Sequence, residues 1–485
     1  MSVRNGLVND MPYLSAYIPS PNSSQRSVKT SWAGLNRKQT QDSGELSDAH
    51  NVGLSAFPFL VSTKGSKRIW ECPSGHTVVS VHSTGNESYA VITRKENKLY
   101  FHYVSEEKTV SVQEGFADEG GIPSIALFNV YEGKPDDIVS AKFNRMILIY
   151  PYCLSFDPKG DGTLKTFNTS GNVVPRLKHV TVMNGRVFGV LDGKFYASEW
   201  NDYAGWRLPA VDDSSDVLAS RAWVSTTQSD IDASGDFTGI TVYDGHVIGF
   251  KRNFMHMLYN NKNPFRIVDV AKIGAISQEA ICECGQILFF ASDDGIYAFT
   301  GGYPKKVSEN LNVSDYNDTI LGADDKTLYC FVPSENRVFT YDTASGMWGC
   351  IDGNSAITFA RVENDCLYST SDGIYKIGGG EHEGFFLETD ASFGGALIEK
   401  RIKRLRLQVC HATHKEGDYI TVEVVKSSGA TASKTLAPSK AGNSVISVIT
   451  RMTCDFGQKI RVCGRGDWEI RYLQLDYESG GEKYV

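Results

Sequence analysis

One short phrase occurs twice in this chain and constrains most of what it can fold into. Asp294-Gly295-Ile296-Tyr297 is followed by Gly301-Gly302, and Asp372-Gly373-Ile374-Tyr375 by Gly378-Gly379-Gly380. The copies start 78 residues apart, close to two units of about 39, and a β-rich phrase recurring with that period is how a β-propeller reads. Units of this kind cannot bury their faces alone and must stack on neighbours. The chain is therefore expected to be a ring-like scaffold whose function lies in loops, rims or partners.

The rest of the sequence extends the pattern. Seven β-units can be marked, over about 76–116, 136–170, 176–209, 236 onward, 277–311, 317–353 and 354–390. Asn184-Gly185 and Asp244-Gly245 sit between apolar alternations, the strongest short-range hairpin signal. The expected fold is all-β: a β-propeller of about seven blades, with six or eight still open, over residues 54–392. Inserts fall at about 117–135 and 210–235. Beyond residue 393 the alternation becomes strict, as in Arg404-Leu-Arg-Leu-Gln-Val409 and Trp468-Glu-Ile-Arg-Tyr-Leu-Gln-Leu475. Strands with one wet face read that way, and a C-terminal β-sandwich is expected over 393–485. Residues 1–53 are polar with little periodicity and read as an extended arm, ordered by contact with a neighbour.

Composition narrows the function classes. The 485 residues carry 41% hydrophobic and 11% aromatic side chains, enough for a large core, with 46 glycines for tight turns. A net charge of −8 argues against a general nucleic-acid binder, which would carry a basic patch. No apolar run is long enough to span a membrane, and no secretory leader is visible. The ten cysteines include no C-x-x-C pair and read as buried, reduced thiols.

Few constellations suggest chemistry. Asp212, Asp213, Asp216, Asp230, Asp232 and Asp236 crowd one insert against only Arg221. They read as a solvated loop or as an acidic channel lining or interface that repels phosphate backbones. The run Lys400-Arg401-Ile-Lys403-Arg404-Leu-Arg406 is the one basic patch. Lys403, Arg404 and Arg406 are candidates for an inter-subunit face that could meet the acidic insert of an adjacent copy. Asp157-Pro-Lys-Gly-Asp161-Gly162 lacks the ligands of a calcium loop and reads as a turn. Cys410-His411-x-x-His414 could hold a metal but is not completed by spacing, so no metal and no cofactor are expected. Arg465-Gly466-Asp467 reads as a hairpin turn. Ser292-Asp-Asp294-Gly295 departs from the sialidase repeat phrase, and no nucleophile elbow, P-loop or HExxH is present, so no catalytic residues are assigned. Trp200, Trp206 and Trp223 could stack on sugar rings in a glycan-binding or glycan-cleaving propeller.

Several phrases, in order, resemble bacteriophage tail propeller proteins. They are Gly34-Leu-Asn36-Arg with Gly44-Glu45-Leu-Ser-Asp48-Ala-His-Asn51-Val, then Lys194-Phe-Tyr-Ala-Ser198-Glu-Trp200 with Trp206. Gly249-Phe-Lys251-Arg follows, with Phe265-Arg-Ile and Gly274-x-x-Ser277, and then Phe289-Phe290-x-Ser292-Asp-Asp-Gly295-Ile-Tyr297. Over about residues 30–475 the chain is similar to the tail hub and nozzle proteins of short-tailed phages, including the packaged-DNA-stabilisation type. That resemblance implies a non-catalytic virion tail protein, made in the host cytoplasm. It implies a ring, a hexamer favoured, around the DNA channel below the portal and its adaptor. The portal adaptor or other tail proteins and tail fibres would be its neighbours, and double-stranded DNA would pass without specific binding. The polar N-terminal arm is longer than that family suggests, and nothing in the sequence distinguishes neck, hub and nozzle.

Overall fold

The computed structural model describes residues 24–38, 44–84, 88–96, 98–105, 109–112, 138–160, 164–168, 173–225, 235–260, 262–351, 355–390, 400–450 and 458–479. The chain divides into two compact units, residues 64–381 and residues 1–63 with 382–485. The insert near 117–135 lies outside the described residues.

The unit over 64–381 is a β-propeller of four-stranded antiparallel sheets. Seven such sheets are described, spanning 77–112, 139–166, 179–224, 237–271, 281–306, 320–351 and 359–376; the last is completed by Lys67–Glu71. Each except the seventh is a meander, in which neighbouring strands follow one another in sequence. The turns match their residues. Asn184-Gly185 and Asp244-Gly245 both take positive φ at both positions, the backbone twist a two-residue hairpin requires.

The first strands of successive sheets lie against one another, so they form the innermost layer. Apolar side chains then fill the space between sheets. Phe101 and Ile92 of the first sheet pack with Ile147 and Phe156 of the second. Phe188 and Phe195 of the third pack with Phe237 and Leu258 of the fourth. Phe250 of the fourth packs with Phe290 of the fifth. The cycle closes where Val78 and Val91 of the first sheet meet Leu367 and Ile374 of the seventh. No sheet could bury both faces alone, which is the physical reason for the ring.

The closing strand comes from the start of the unit. Lys67–Glu71 pairs with Gly373–Lys376 as the outermost strand of the seventh sheet. The Trp70 carbonyl approaches Gly373 so closely that a Cβ there would lie 2.4 Å from it. The glycine of the repeated phrase is therefore required by the ring closure in its second copy.

The other unit holds two antiparallel sheets. One contains Lys400–Thr413, Gly442–Ile449 and Asp467–Ser479, and the other Gly384–Asp390, Tyr419–Val425, Thr431–Leu436 and Lys459–Arg465. Each alternates buried and wetter side chains, as the strict pattern from Arg404 predicted: Leu405, Leu407 and Val409 are buried between Arg404, Arg406 and Gln408. Arg465-Gly466-Asp467 is not the expected hairpin turn: Gly466 links Lys459–Arg465 of one sheet to Asp467–Ser479 of the other.

The boundaries differ from the sequence reading. Gly384–Asp390 belongs to this second unit, not to the propeller. The described part of the expected arm over 1–53 is built into the same unit. Ser24–Lys29 pairs with Asp467–Ser479, and Asp48–His50 with Gly384–Asp390. Trp32 is buried and its indole N–H donates to the Arg471 carbonyl at 2.9 Å. Lys29 lies 5.0 Å above the Trp32 ring and donates to Thr389 Oγ1. Burial pushes its ammonium down to about 8, against the opposing pull of Asp390 and Glu45. Polar sequence concealed these strands because their partners lie more than 300 residues away.

Candidate interaction surfaces

The part of the acidic insert that carries Asp212, Asp213 and Asp216 joins the third and fourth strands of the third sheet, Lys194–Ala197 and Trp223–Val224, whereas Asp236 lies beyond that sheet, just before Phe237–Tyr243. In strand order that connection is on the side remote from the innermost strand His179–Met183. The insert is held from beneath by Arg186, which is 1% exposed. Its guanidinium donates to the carbonyls of Ser198, Ala219 (2.6 Å) and Arg221 (2.9 Å). Burial pushes the guanidinium down to about 10, with Glu199 acting the other way. Ala219 lies in the last turn of the short helix Ser215–Ser220 and Arg221 is its C-cap, so the buried cation sits where the helix carbonyls need donors.

The acids of this insert do not form one field. Asp213 accepts from the Arg221 guanidinium at 3.0 and 3.2 Å and from the Ala210 N–H at 2.9 Å. Those bonds, Arg221 first, hold its carboxyl below the usual range. Glu199 accepts from Arg207 through side chain and backbone. Burial pushes Glu199 up, and Arg207 and Arg221 more than offset it. Asp212 and Asp216 are exposed and have no ion pair among the described residues. Asp236 accepts from the Gly193 N–H at 3.1 Å. Asp230 and Asp232 lie outside the described residues.

Sequence reasoning singled out Trp200 here but missed the exposed aliphatic residues of the insert. Trp200 is 59% exposed and Val211 fully exposed, with Leu208, Val217 and Leu218 also open to solvent. Trp206 and Trp223 are instead packed, Trp206 in the cluster between the second and third sheets and Trp223 against Phe265. The missed signal was present: Leu208, Val211, Val217 and Leu218 interrupt a polar stretch with no strand or helix periodicity to bury them.

The basic face belongs to the two-sheet unit. A register shift between Ile402 and Arg404 places Lys403 and Arg404 side by side on the wet side. Lys403 pairs with Glu478, and Arg406 with Asp476 at 2.9 Å, where Arg26 also binds at 3.0 Å. Arg401 and Arg404 have no ion-pair partner among the described residues. With Arg26, Lys403, Asp476, Gln25, Thr450 and Ile449 they line an open groove of about 680 Å3. Ile449, 65% exposed, adds an apolar wall, and Val445 and Val28 are exposed on the flanking strands.

The repeated phrase is structural. Tyr297 Oη donates to both Asp294 oxygens at 3.0 and 2.9 Å, and Lys306 reaches the same carboxylate at 3.1 Å. Tyr375 Oη donates to Asp372 at 2.9 Å in the second copy. These aspartates lock their hairpins, as turn carboxylates do. Asp157 similarly pairs with Arg145 at 2.8 Å and accepts from the Lys159 N–H.

No known family and no curated protein matches the sequence. Among solved structures, the chain is similar to the extracellular domain of a hybrid two-component system from B. thetaiotaomicron, at 10% identity over 74% of this chain and 44% of that one, with a TM-score of 0.38. The chain thus spans less than half of that protein. BamB from Moraxella catarrhalis aligns at 10% identity over 65% of this chain and 97% of its own, with a TM-score of 0.33. The exo-β-1,3-galactanase from Phanerochaete chrysosporium aligns at 13% identity over 93% and 100%, with a TM-score of 0.26. None of these likenesses assigns a substrate, ligand or partner to this chain.

Proposed function

We propose that this chain is a structural component of a bacteriophage tail, of the hub or nozzle type, that assembles into a ring around the DNA channel. In that ring it helps to retain and guide the genome and anchors neighbouring tail parts. The observation that carries the reading is the apolar surface of the insert, Trp200, Leu208, Val211, Val217 and Leu218, rimmed by Asp212 and Asp216. Large apolar side chains left exposed beside acids suit a protein contact. The groove with Arg401, Arg404 and Ile449 offers the complementary chemistry, cations beside an aliphatic wall. Insert of one copy against groove of the next is a heterologous contact, the type that closes into rings. The resemblance of the chain's ordered phrases to those of tail hub and nozzle proteins points the same way.

Light scattering on the purified chain across a salt series tests it. We expect a discrete multiple of the 53.4 kDa chain mass at low salt, dissociating as salt rises. Val211→Lys with Asp212→Lys should abolish the oligomer while leaving the far-ultraviolet spectrum unchanged. A monomer at every concentration and salt, alone and with portal or adaptor rings present, would sink the proposal.

A second reading draws on Trp200 alone. An indole face open to solvent can stack on a sugar ring, which would suit a propeller that recognises a host glycan. Selective binding on a glycan array, lost in Trp200→Ala, would favour that reading.

A further inference from the structure

The connection over 411–418 carries a donor set that the ring reading does not use. It connects Lys400–Thr413 of one sheet to Tyr419–Val425 of the other. His411 sits at the end of the first strand, His414 and Asp418 in the turn. One ligand atom from each of the three lies within 4.8 Å of the others. His411 and Asp418 are buried, and His414 is exposed.

The geometry is supported on several sides. The His411 ring stacks on Trp468, centroids 4.3 Å apart and planes 25° apart. The His411 and His414 rings lie 5.6 Å apart at 72°. Asp418 Oδ2 accepts from His411 Nε2–H at 2.9 Å and from the Lys415 N–H at 2.8 Å. Two bonds thus fall on one carboxylate oxygen, and Asp418 Oδ1 accepts none among the described residues. His411 is 1% exposed, yet its Nδ1 is buried without a hydrogen-bond partner. An ion that replaced the proton on His411 Nε2 would sit between that nitrogen and Asp418 Oδ2, 2.9 Å apart, and take both as ligands.

We propose that His411, His414 and Asp418 form a site for a divalent transition-metal cation of the zinc class, open at its fourth position to water or to a group from outside the chain. Two imidazoles and one carboxylate suit zinc, nickel or copper. Calcium and magnesium require more oxygen donors than this turn supplies. The ion would clip the connection that links the two sheets, so its binding would stabilise this unit by mass action. The exposed His414 closes the site from the solvent side, which gives the ion an entry path.

The test uses the full chain, free of any histidine tag and stripped with a chelator. Zn2+ titration by calorimetry and Co2+ visible absorption are the readouts. We expect one Zn2+ per chain, a Co2+ ligand-field band, and a melting temperature that rises with Zn2+ but not with Mg2+ or Ca2+. His414→Ala should abolish the band and the shift while melting as the wild type does in chelator. Asp418→Asn should weaken Zn2+ binding by about tenfold or more. Wild-type protein that takes up no Zn2+, or His414→Ala protein that binds it equally well, would overturn the proposal. The result stands apart from assembly, because a monomer can bind the ion and a ring can lack it.

Discussion

The two units hide their strand edges by opposite routes. In the propeller, strands pair mostly with their neighbours in sequence, and the seventh sheet takes in a remote strand, Lys67–Glu71. In the two-sheet unit the pairings cross the whole chain: Ser24 lies opposite Glu478, Asp48 opposite Glu388, and Leu60 opposite Ile470. Local pairing leaves a period that a reader of the sequence can find. Remote pairing leaves only alternation, and where the strands are short it leaves almost nothing. The difference also bears on folding, because distant contacts carry a loop-closure cost before they contribute.

Deleting residues 1–63 is the strongest way to break the contrast. It removes Trp32, Leu35, Leu46 and Leu60, all buried, and the strands that cover Asp467–Ser479 and Gly384–Asp390. We expect residues 382–485 to lose cooperative folding, because removing each large apolar side chain costs about 2–5 kcal/mol and a whole unit has only about 5–15 to lose. The propeller over 64–381 should keep its protection. Hydrogen exchange followed residue by residue distinguishes the outcomes. Full protection of the C-terminal strands in the truncated chain would mean that the N-terminal strands are decoration.

What could be read in advance follows the same division. The repeated phrase, the Asn-Gly and Asp-Gly turns and the alternation from Arg404 onward each report contacts within a few residues, and each lies where expected. The arm did not, because Ser24-Gln-Arg-Ser-Val-Lys29 has one apolar residue, and that one, Val28, points to solvent. Its strand character comes from backbone bonds to Asp467–Ser479, which no local pattern encodes. Charge was misread for a related reason. Asp213 is neutralised by Arg221 and Glu199 by Arg207, so counting acids overstated the field.

Alkaline titration sharpens the comparison. Burial pushes the thiols of Cys153 and Cys284, both in the propeller, up to about 12 from an ordinary 9.0, and Cys330 upward as well. A folded value above the unfolded one means the unfolded chain releases its proton first. Stability from these groups is therefore complete below about pH 9 and is lost progressively as pH climbs toward 12. In the other unit burial raises the half-buried Cys463 thiol as well. We expect the propeller to soften first between pH 9 and 11, read as hydrogen exchange rising over 64–381 before 382–485. Simultaneous loss of protection in both units would remove the distinction.

Arg186→Met probes how firmly the insert is tied to its sheet. Methionine fills part of the space but leaves the Ser198, Ala219 and Arg221 carbonyls without their donor. Buried carbonyls stranded in this way should cost about 2–4 kcal/mol in total. The loss should be local, with proteolysis appearing within 199–222 well before the sheets unfold. If the variant oligomerises like the wild type despite a loosened insert, the insert is not the contact proposed for it.

The smallest effect concerns the phrase that made the fold legible. Tyr297→Phe removes the hydroxyl that bridges both Asp294 oxygens, but Lys306 remains on the carboxylate. Partial burial pushes Asp294 up, and the Tyr297 and Lys306 bonds more than offset it, so the carboxyl sits below its usual range. Without the hydroxyl that carboxyl should titrate at higher pH, and the loss of stability should be about 1 kcal/mol. Solvent reaches the aspartate, which keeps the value small. Tyr375→Phe in the second copy should cost a comparable amount, since Asp372 keeps its bond from Thr370 and its neighbour Arg68. Matching losses would identify the phrase as a repeated hairpin lock. A loss at Tyr375 several times larger would show instead that the second copy also holds the closing strand, because Tyr375 pairs directly with Arg68 of Lys67–Glu71.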